Sequence, residues 1–179
     1  KAGVYLVRRE PEKALQQLSQ IAGTDAASPE VLYNKALAMH QMGLVSDAEA
    51  LLGTYAREHP DDPEAQNALG VVMLQMHNYA GAKAHLDRAI ALRPEKGDYY
   101  YNRANVLKEQ KEFKSAIDDY TRAIAFMPDL TGAYINRGDL RFLLRETEAA
   151  CQDLKKACDL GECDRLEKYE DAGRCRDFF

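Results

Sequence analysis

The sequence predicts an all-α protein assembled from one repeated unit, a pair of antiparallel helices. Three observations carry this prediction. Pro60, Pro94 and Pro128 stand 34 residues apart, and each closes a similar phrase: YAREHP, AIALRP and AIAFMP. Small residues recur at constant offsets from those prolines. Apolar residues recur three, four and seven apart, as in Ala116, Ile117, Tyr120, Ala123 and Ile124, which is the spacing of one helix face. No segment sustains the alternation of a strand.

Composition is consistent with a folded chain. Of 179 residues, 46% are apolar and 30% charged, enough to bury a core and keep a solvated surface. The net charge of -5 argues against nucleic acid, which favours a basic face. No apolar run approaches the roughly 18 residues of a membrane span, so direct membrane insertion is not expected.

Setting each proline at position 32 of a 34-residue unit starts the units at Pro29, Pro63, Gly97 and Thr131. Position 8, where two helices must cross closely, then holds Ala36, Gly70, Ala104 and Gly138. Position 20 holds Ala48, Ala82, Ala116 and Ala150. Position 27 holds Ala89, Ala123 and Ala157, with Tyr55 the exception. Position 24, which fills the gap between helices, holds Leu52, Leu86, Tyr120 and Leu154. Val45, Tyr79, Phe113 and Thr147 open the second helices.

Four units that agree at small, large and proline positions resemble a tetratricopeptide repeat (TPR) array. The resemblance implies a right-handed α-α superhelix of about five units, closed by a short C-terminal capping helix. The expected division is a partial unit over 1–28, units over 29–62, 63–96, 97–130 and 131–161, and a cysteine-bearing cap over 162–179. Residues 1–28 fit positions 7–34 of an earlier unit, with Ala2, Ala14 and Leu18 at positions 8, 20 and 24. More repeats are therefore expected upstream. The cap, followed by Asp177, Phe178 and Phe179, suits the C-terminal end of an array.

First helices are expected near 29–42, 63–76, 97–110 and 131–144, and second helices near 45–58, 79–92, 113–126 and 147–160. Gly43 suits the turn after a first helix, and Ser28-Pro29 and Asp61-Asp62-Pro63 suit helix starts. The stretch ECDRLEKYEDAG reads as the cap, with Leu166 and Tyr169 covering the last repeat.

The resemblance also implies a function, a non-catalytic scaffold that binds an extended polypeptide in a groove lined by first helices. The alternative is the regulatory or targeting arm of a larger enzyme. Positions 2, 5, 6, 9, 12 and 13 are implied to face the groove. Position 6 carries Asn34, Asn102 and Asn136, with Ala68 between them. An amide supplies donors and an acceptor, so a row of Asn can pair with a peptide backbone without reading its side chains. The competing reading is that these amides bond the neighbouring repeat. Asn67, Tyr101, Asn105 and Asp139 complete the expected peptide-binding set, and Tyr33, Lys108 and Glu109 are further groove candidates. Tyr100 is expected in the core and Tyr99 at an edge. Position 2 carries Glu30, Glu64 and Asp98, so the cationic clamp of the tail-binding TPR domains is absent. A neutral or basic protein or peptide partner is expected.

Wherever position 7 is Arg, position 23 of the same unit is Asp: Arg103 with Asp119, and Arg137 with Asp153. This matched change points to ion pairs between the two helices of a unit. His40, His59, His77 and His85 show no metal spacing, and neither a phosphate-cradling glycine loop nor a nucleophile elbow occurs. Neither a cofactor nor a catalytic residue is expected.

All four cysteines, Cys151, Cys158, Cys163 and Cys175, lie in the last 29 residues. If the cap folds back along the last repeat, Cys158 meets Cys163 and Cys151 meets Cys175. Disulfides would indicate an oxidising, extracytoplasmic compartment, periplasmic or secreted. Free thiols would be equally at home in the cytoplasm, and a metal site is the third reading.

Overall fold

A computed structural model describes residues 10–20 and 29–175, without the side chains of residues 29, 30, 33, 40 and 45. Expectations for Ala2, Ser28, residues 177–179 and the side chains of Glu30, Tyr33, His40 and Val45 lie outside the described residues. Ten helices and no strand are present among the described residues. The chain divides into two compact units, 1–94 and 95–179.

The first unit contains α1 (Pro11–Ser19), α2 (Pro29–Gln41), α3 (Val45–Glu58), α4 (Pro63–Gln75) and α5 (Tyr79–Leu92). Its core joins Leu32 and Ala36 of α2, Ala48, Leu52 and Ala56 of α3, and Ala65, Leu69 and Val72 of α4. α4 starts where Asp62 accepts hydrogen bonds from the amides of Glu64 and Ala65 at 2.9 and 3.2 Å, satisfying donors that a helix start leaves orphaned. Gly70 explains the demand for a small position 8. A Cβ there would stand 2.7 Å from Leu86 Cγ and 3.1 Å from the Ala82 carbonyl oxygen. That close approach lets Leu86 bury completely, worth about 1.5–3 kcal/mol.

The second unit contains α6 (Gly97–Glu109), α7 (Phe113–Phe126), α8 (Thr131–Leu143), α9 (Thr147–Asp159) and the cap helix α10 (Asp164–Asp171). Ala104 and Leu107, Ala116 and Tyr120, and Ala133 and Leu140 pack together across α6, α7 and α8. A separate cluster of Cys151, Leu154, Leu166 and Cys175, with Phe142 and Tyr169 against it, seats α10 on the last helix pair.

The first helices stop one residue earlier than the sequence predicts, for a common reason. Position 15 adopts the left-handed conformation in every described unit: Gly43 (φ 79°), His77 (59°), Lys111 (63°) and Arg145 (64°). The next amide reaches back five residues to a carbonyl, as in Glu112 to Leu107 at 2.8 Å and Glu146 to Arg141 at 2.9 Å. This six-to-one bond closes the helix and aims the chain into its partner.

The matched Arg and Asp residues are paired. Arg103 donates to Asp119 from Nε at 2.6 Å and Nη2 at 2.8 Å. Arg137 donates to Asp153 from the same two nitrogens at 3.0 and 2.6 Å. In the unit that has Leu69 at position 7, His85 at position 23 instead bonds Gln66 at 2.8 Å. One expectation is corrected: Tyr99 is not at an edge but 1% exposed. In the units starting at Pro63, Gly97 and Thr131 position 3 lies in the core, where Ala65 and Ala133 are equally buried, whereas Val31 is half-buried.

Candidate functional site

The amphipathic spacing of α6 and α8 turns one stripe of each helix to the core and leaves positions 5, 6, 9 and 12 half-buried. In the second unit those positions form a connected polar surface. Tyr101 (position 5) lies beside Tyr120, with ring centroids 5.8 Å apart. Its hydroxyl accepts a hydrogen bond from Asn136 Nδ2 at 3.4 Å. The same amide nitrogen approaches Asn105 Oδ1 at 3.4 Å, and Lys108 Nζ reaches Asn136 Oδ1 at 3.5 Å. Asn105 is oriented from the core side, where the Tyr120 hydroxyl donates to its Oδ1 at 2.7 Å. Burial holds the Tyr120 hydroxyl protonated well above the ordinary tyrosine range, so it is a constant donor.

Three expected site residues, Tyr101, Asn105 and Asn136, are thus brought together, with Lys108 beside them. Asn102 is half-buried on the same helix. Asn136 does bond the preceding repeat, the competing reading of that amide, yet its contacts are long for N–H···O bonds. Gly132 at position 2 leaves room for the Tyr101 ring, since a Cβ there would stand 2.9 Å from its hydroxyl.

Asp139 has a different neighbourhood. Its carboxylate accepts from the Tyr169 hydroxyl at 3.3 Å and pairs with Arg165 at 3.3 Å, both from α10. The Tyr169 ring stacks on Phe142, centroids 4.0 Å apart. Burial pushes the Asp139 carboxyl above the ordinary aspartate range, while Arg165, the Tyr169 hydroxyl, Lys108 and Lys168 pull it back. Beside it lies a cleft of about 270 Å³ lined by Ile135, Glu162, Asp164, Arg165 and Lys168.

The α10 residues were not among the expected site residues because the repeat pattern stops at Glu162. A signal for them existed. Continuing the 34-residue count past Thr131 puts Tyr169 at position 5, the position of Tyr101. α10 stands where the first helix of a further unit would begin.

In the first unit, Asn34 and Asn67 are half-buried on α2 and α4. The position 2 acid Glu64 is engaged by Arg93 at 2.9 Å, and Arg88 pairs with Asp61 at 2.6 Å. Gln66 is buried and donates to the Pro60 carbonyl at 3.3 Å. Among the described residues no group of three or more His, Cys, Asp or Glu could hold a metal, and no helix is long and apolar enough to cross a membrane.

The cysteines pair as Cys151 with Cys175, Cα atoms 5.6 Å apart, and Cys158 with Cys163. Such pairs are compatible with an oxidising compartment.

Models of the tetratricopeptide repeat match residues 8–71 and 97–130, together more than half of the chain. No curated protein sequence matches it. Among solved structures it is similar to MamA 41-end from Desulfovibrio magneticus RS-1, at 21% identity over 95% of this chain and 93% of that one, with a TM-score of 0.68. It is also similar to TTC0263, a thermophilic TPR protein in Thermus thermophilus, at 17% identity over 96% and 94%, with a TM-score of 0.80. At these identities the likeness is one of fold, and the fold is that of a TPR solenoid. With the 34-residue register and its helix pairs, these matches establish that the chain belongs to the tetratricopeptide repeat family, whose repeats serve protein interaction.

Proposed function

We propose that the chain is a non-catalytic scaffold that holds an extended polypeptide segment against its first helices. The observation behind this reading is the Tyr101, Asn105, Lys108 and Asn136 network. Its inter-repeat bonds are 3.4–3.5 Å long, so exchanging them for shorter bonds to a peptide backbone costs little. Asn102 and Asn136 supply the amides, Asn105 is held ready by Tyr120, and Tyr101 offers a ring for an apolar side chain. Asn34 and Asn67 are the corresponding candidates within the first unit, and Asp139 is a candidate on the first-helix face of the second. The partner is a neutral or basic segment, because the chain carries a net charge of -5 and acids at position 2. The paired cysteines favour a periplasmic or secreted home.

The test is a library of unstructured peptides of graded charge, screened by fluorescence anisotropy against the intact chain. The best peptide should be neutral or basic. Asn102→Ala with Asn136→Ala should weaken it at least about tenfold, two lost bonds at about 1 kcal/mol each, while melting stays near the parent's. Unchanged affinity in that variant, or preference for acidic peptides, would reject the reading.

A further inference from the structure

α10 lends two side chains, Arg165 and Tyr169, to Asp139 on the first-helix face. The segment that carries them is fastened at both ends by cysteine pairs of unlike character. Cys151 and Cys175 are 0% exposed and packed against Leu154 and Leu166. Cys158 and Cys163 are only half-buried. They stand five residues apart and straddle the turn at Gly161, where φ is 104°. Thiol–disulfide exchange begins when a thiolate reaches a disulfide sulfur, so access decides which bond exchanges first.

We infer that Cys158–Cys163 is a redox-exchangeable latch on the cap, and that Cys151–Cys175 is its permanent anchor. The co-reactant is a dithiol, small or carried on a protein. One of its thiolates attacks a sulfur of the Cys158–Cys163 pair. That S–S bond breaks, a mixed disulfide forms, and the other cysteine leaves as a thiolate that takes a proton from water. The second thiol of the reductant loses its proton and attacks the mixed disulfide. The remaining cysteine is released and protonated, and the reductant departs as a disulfide. Two electrons have passed from the reductant to the pair, and a disulfide oxidant reverses the reaction.

The consequence follows from position. Cys163 caps the start of α10, and Arg165 and Leu166 lie in its first turn. With the latch open, the start of α10 is held by Leu166 and by the contacts of Tyr169 and Arg165. The other end stays tied through Cys175. α10 then swings about that end, Arg165 leaves Asp139, and the cleft beside Ile135 widens. The oxidised chain has Asp139 covered, and the chain with the latch reduced has it open. The latch works in this way whatever the first-helix face binds.

The experiment uses the whole oxidised chain in dithiothreitol buffers of graded potential. Thiols are trapped by alkylation and mapped by mass spectrometry, and hydrogen exchange is followed in parallel. Cys158 and Cys163 should be labelled at potentials where Cys151 and Cys175 are still joined. In that state the amides of residues 162–172 should exchange at least about tenfold faster, with 97–130 unchanged. A Cys158→Ser, Cys163→Ser double variant should show the same fast exchange with no reductant present. Simultaneous or reversed labelling of the two pairs, or unchanged exchange over 162–172 once Cys158 and Cys163 are free, would overturn the inference. If the double variant does not fold, the titration of the native chain decides alone.

Discussion

Arg137 meets Asp153 in a two-pronged, buried ion pair, and Arg141 adds a third bond to the same carboxylate at 2.7 Å. Arg137 also donates to Thr121 on α7 at 2.9 Å, so one guanidinium ties α7, α8 and α9 together. The Arg137 and Asp153 side chains are 10% and 5% exposed. Removing one partner leaves the other charged and dry. Asp153→Ala should therefore destabilise the second unit by about 3–5 kcal/mol in chemical denaturation. Arg141→Met should cost less, since Asp153 keeps its two bonds from Arg137 and its charge stays paired. Equal losses in the two variants would show that Asp153 matters through packing and not through charge.

Positions 70 and 138 are both glycine, yet they tolerate different changes. A methyl at Gly70 meets the branch carbon of a fully buried leucine at 2.7 Å. A methyl at Gly138 meets Leu154 at 3.1 Å and a carbonyl oxygen at 3.3 Å. Alanine also gains about 1 kcal/mol of helix propensity over glycine. Gly138→Ala should be close to neutral, whereas Gly70→Ala should lose about 1–2 kcal/mol as Leu86 is displaced. Gly138→Leu overfills its crossing and should cost about 1–3 kcal/mol or more. Thermal melts of the three variants check the order.

The turn after each first helix needs a left-handed residue, and only Gly43 is a residue that enters that region freely. Lys111 and Arg145 hold the same conformation at a cost of about 1–2 kcal/mol. Glycine gives back part of that gain through its freer unfolded chain. Lys111→Gly and Arg145→Gly should each stabilise by about 0.5–1 kcal/mol, and Gly43→Ala should destabilise. A drop in melting temperature for both glycine variants would contradict this.

Asp139 titrates above the ordinary aspartate range, chiefly because burial disfavours its charge. The folded chain therefore binds more proton at this site than the unfolded chain, in the window between the ordinary and the raised value. Stability contributed here falls as pH rises through that window, and the loss is complete above it. Carbon-13 NMR should show the raised midpoint directly. Arg165→Met removes a cation that lowers it, so the midpoint should climb further. A midpoint that falls in Arg165→Met would mean that Arg165 does not act on Asp139.

The sequence alone determined the helix pairs, because a 34-residue period with small residues at positions 8, 20 and 27 admits one way of crossing helices closely. It also showed the Arg–Asp pairs, since two positions that change together in every unit record a contact. The cap could be read from Leu166 and Tyr169, three apart beyond the last repeat. What a repeat pattern cannot carry is how half-buried side chains settle between neighbouring helices. The register placed Tyr100 in the core and Tyr101 toward the groove, but only packing buries Tyr99 and sets Tyr101 beside Tyr120 and Asn136. Tertiary structure likewise decided that Asn136 bonds the preceding repeat and that Asp139 is covered by Tyr169 and Arg165 from a helix 30 residues later in the chain. Close packing at a crossing is set by local residue size, which a sequence displays. Hydrogen-bond partners at a seam depend on distances of a few tenths of an ångström between separate helices, which only the folded chain defines.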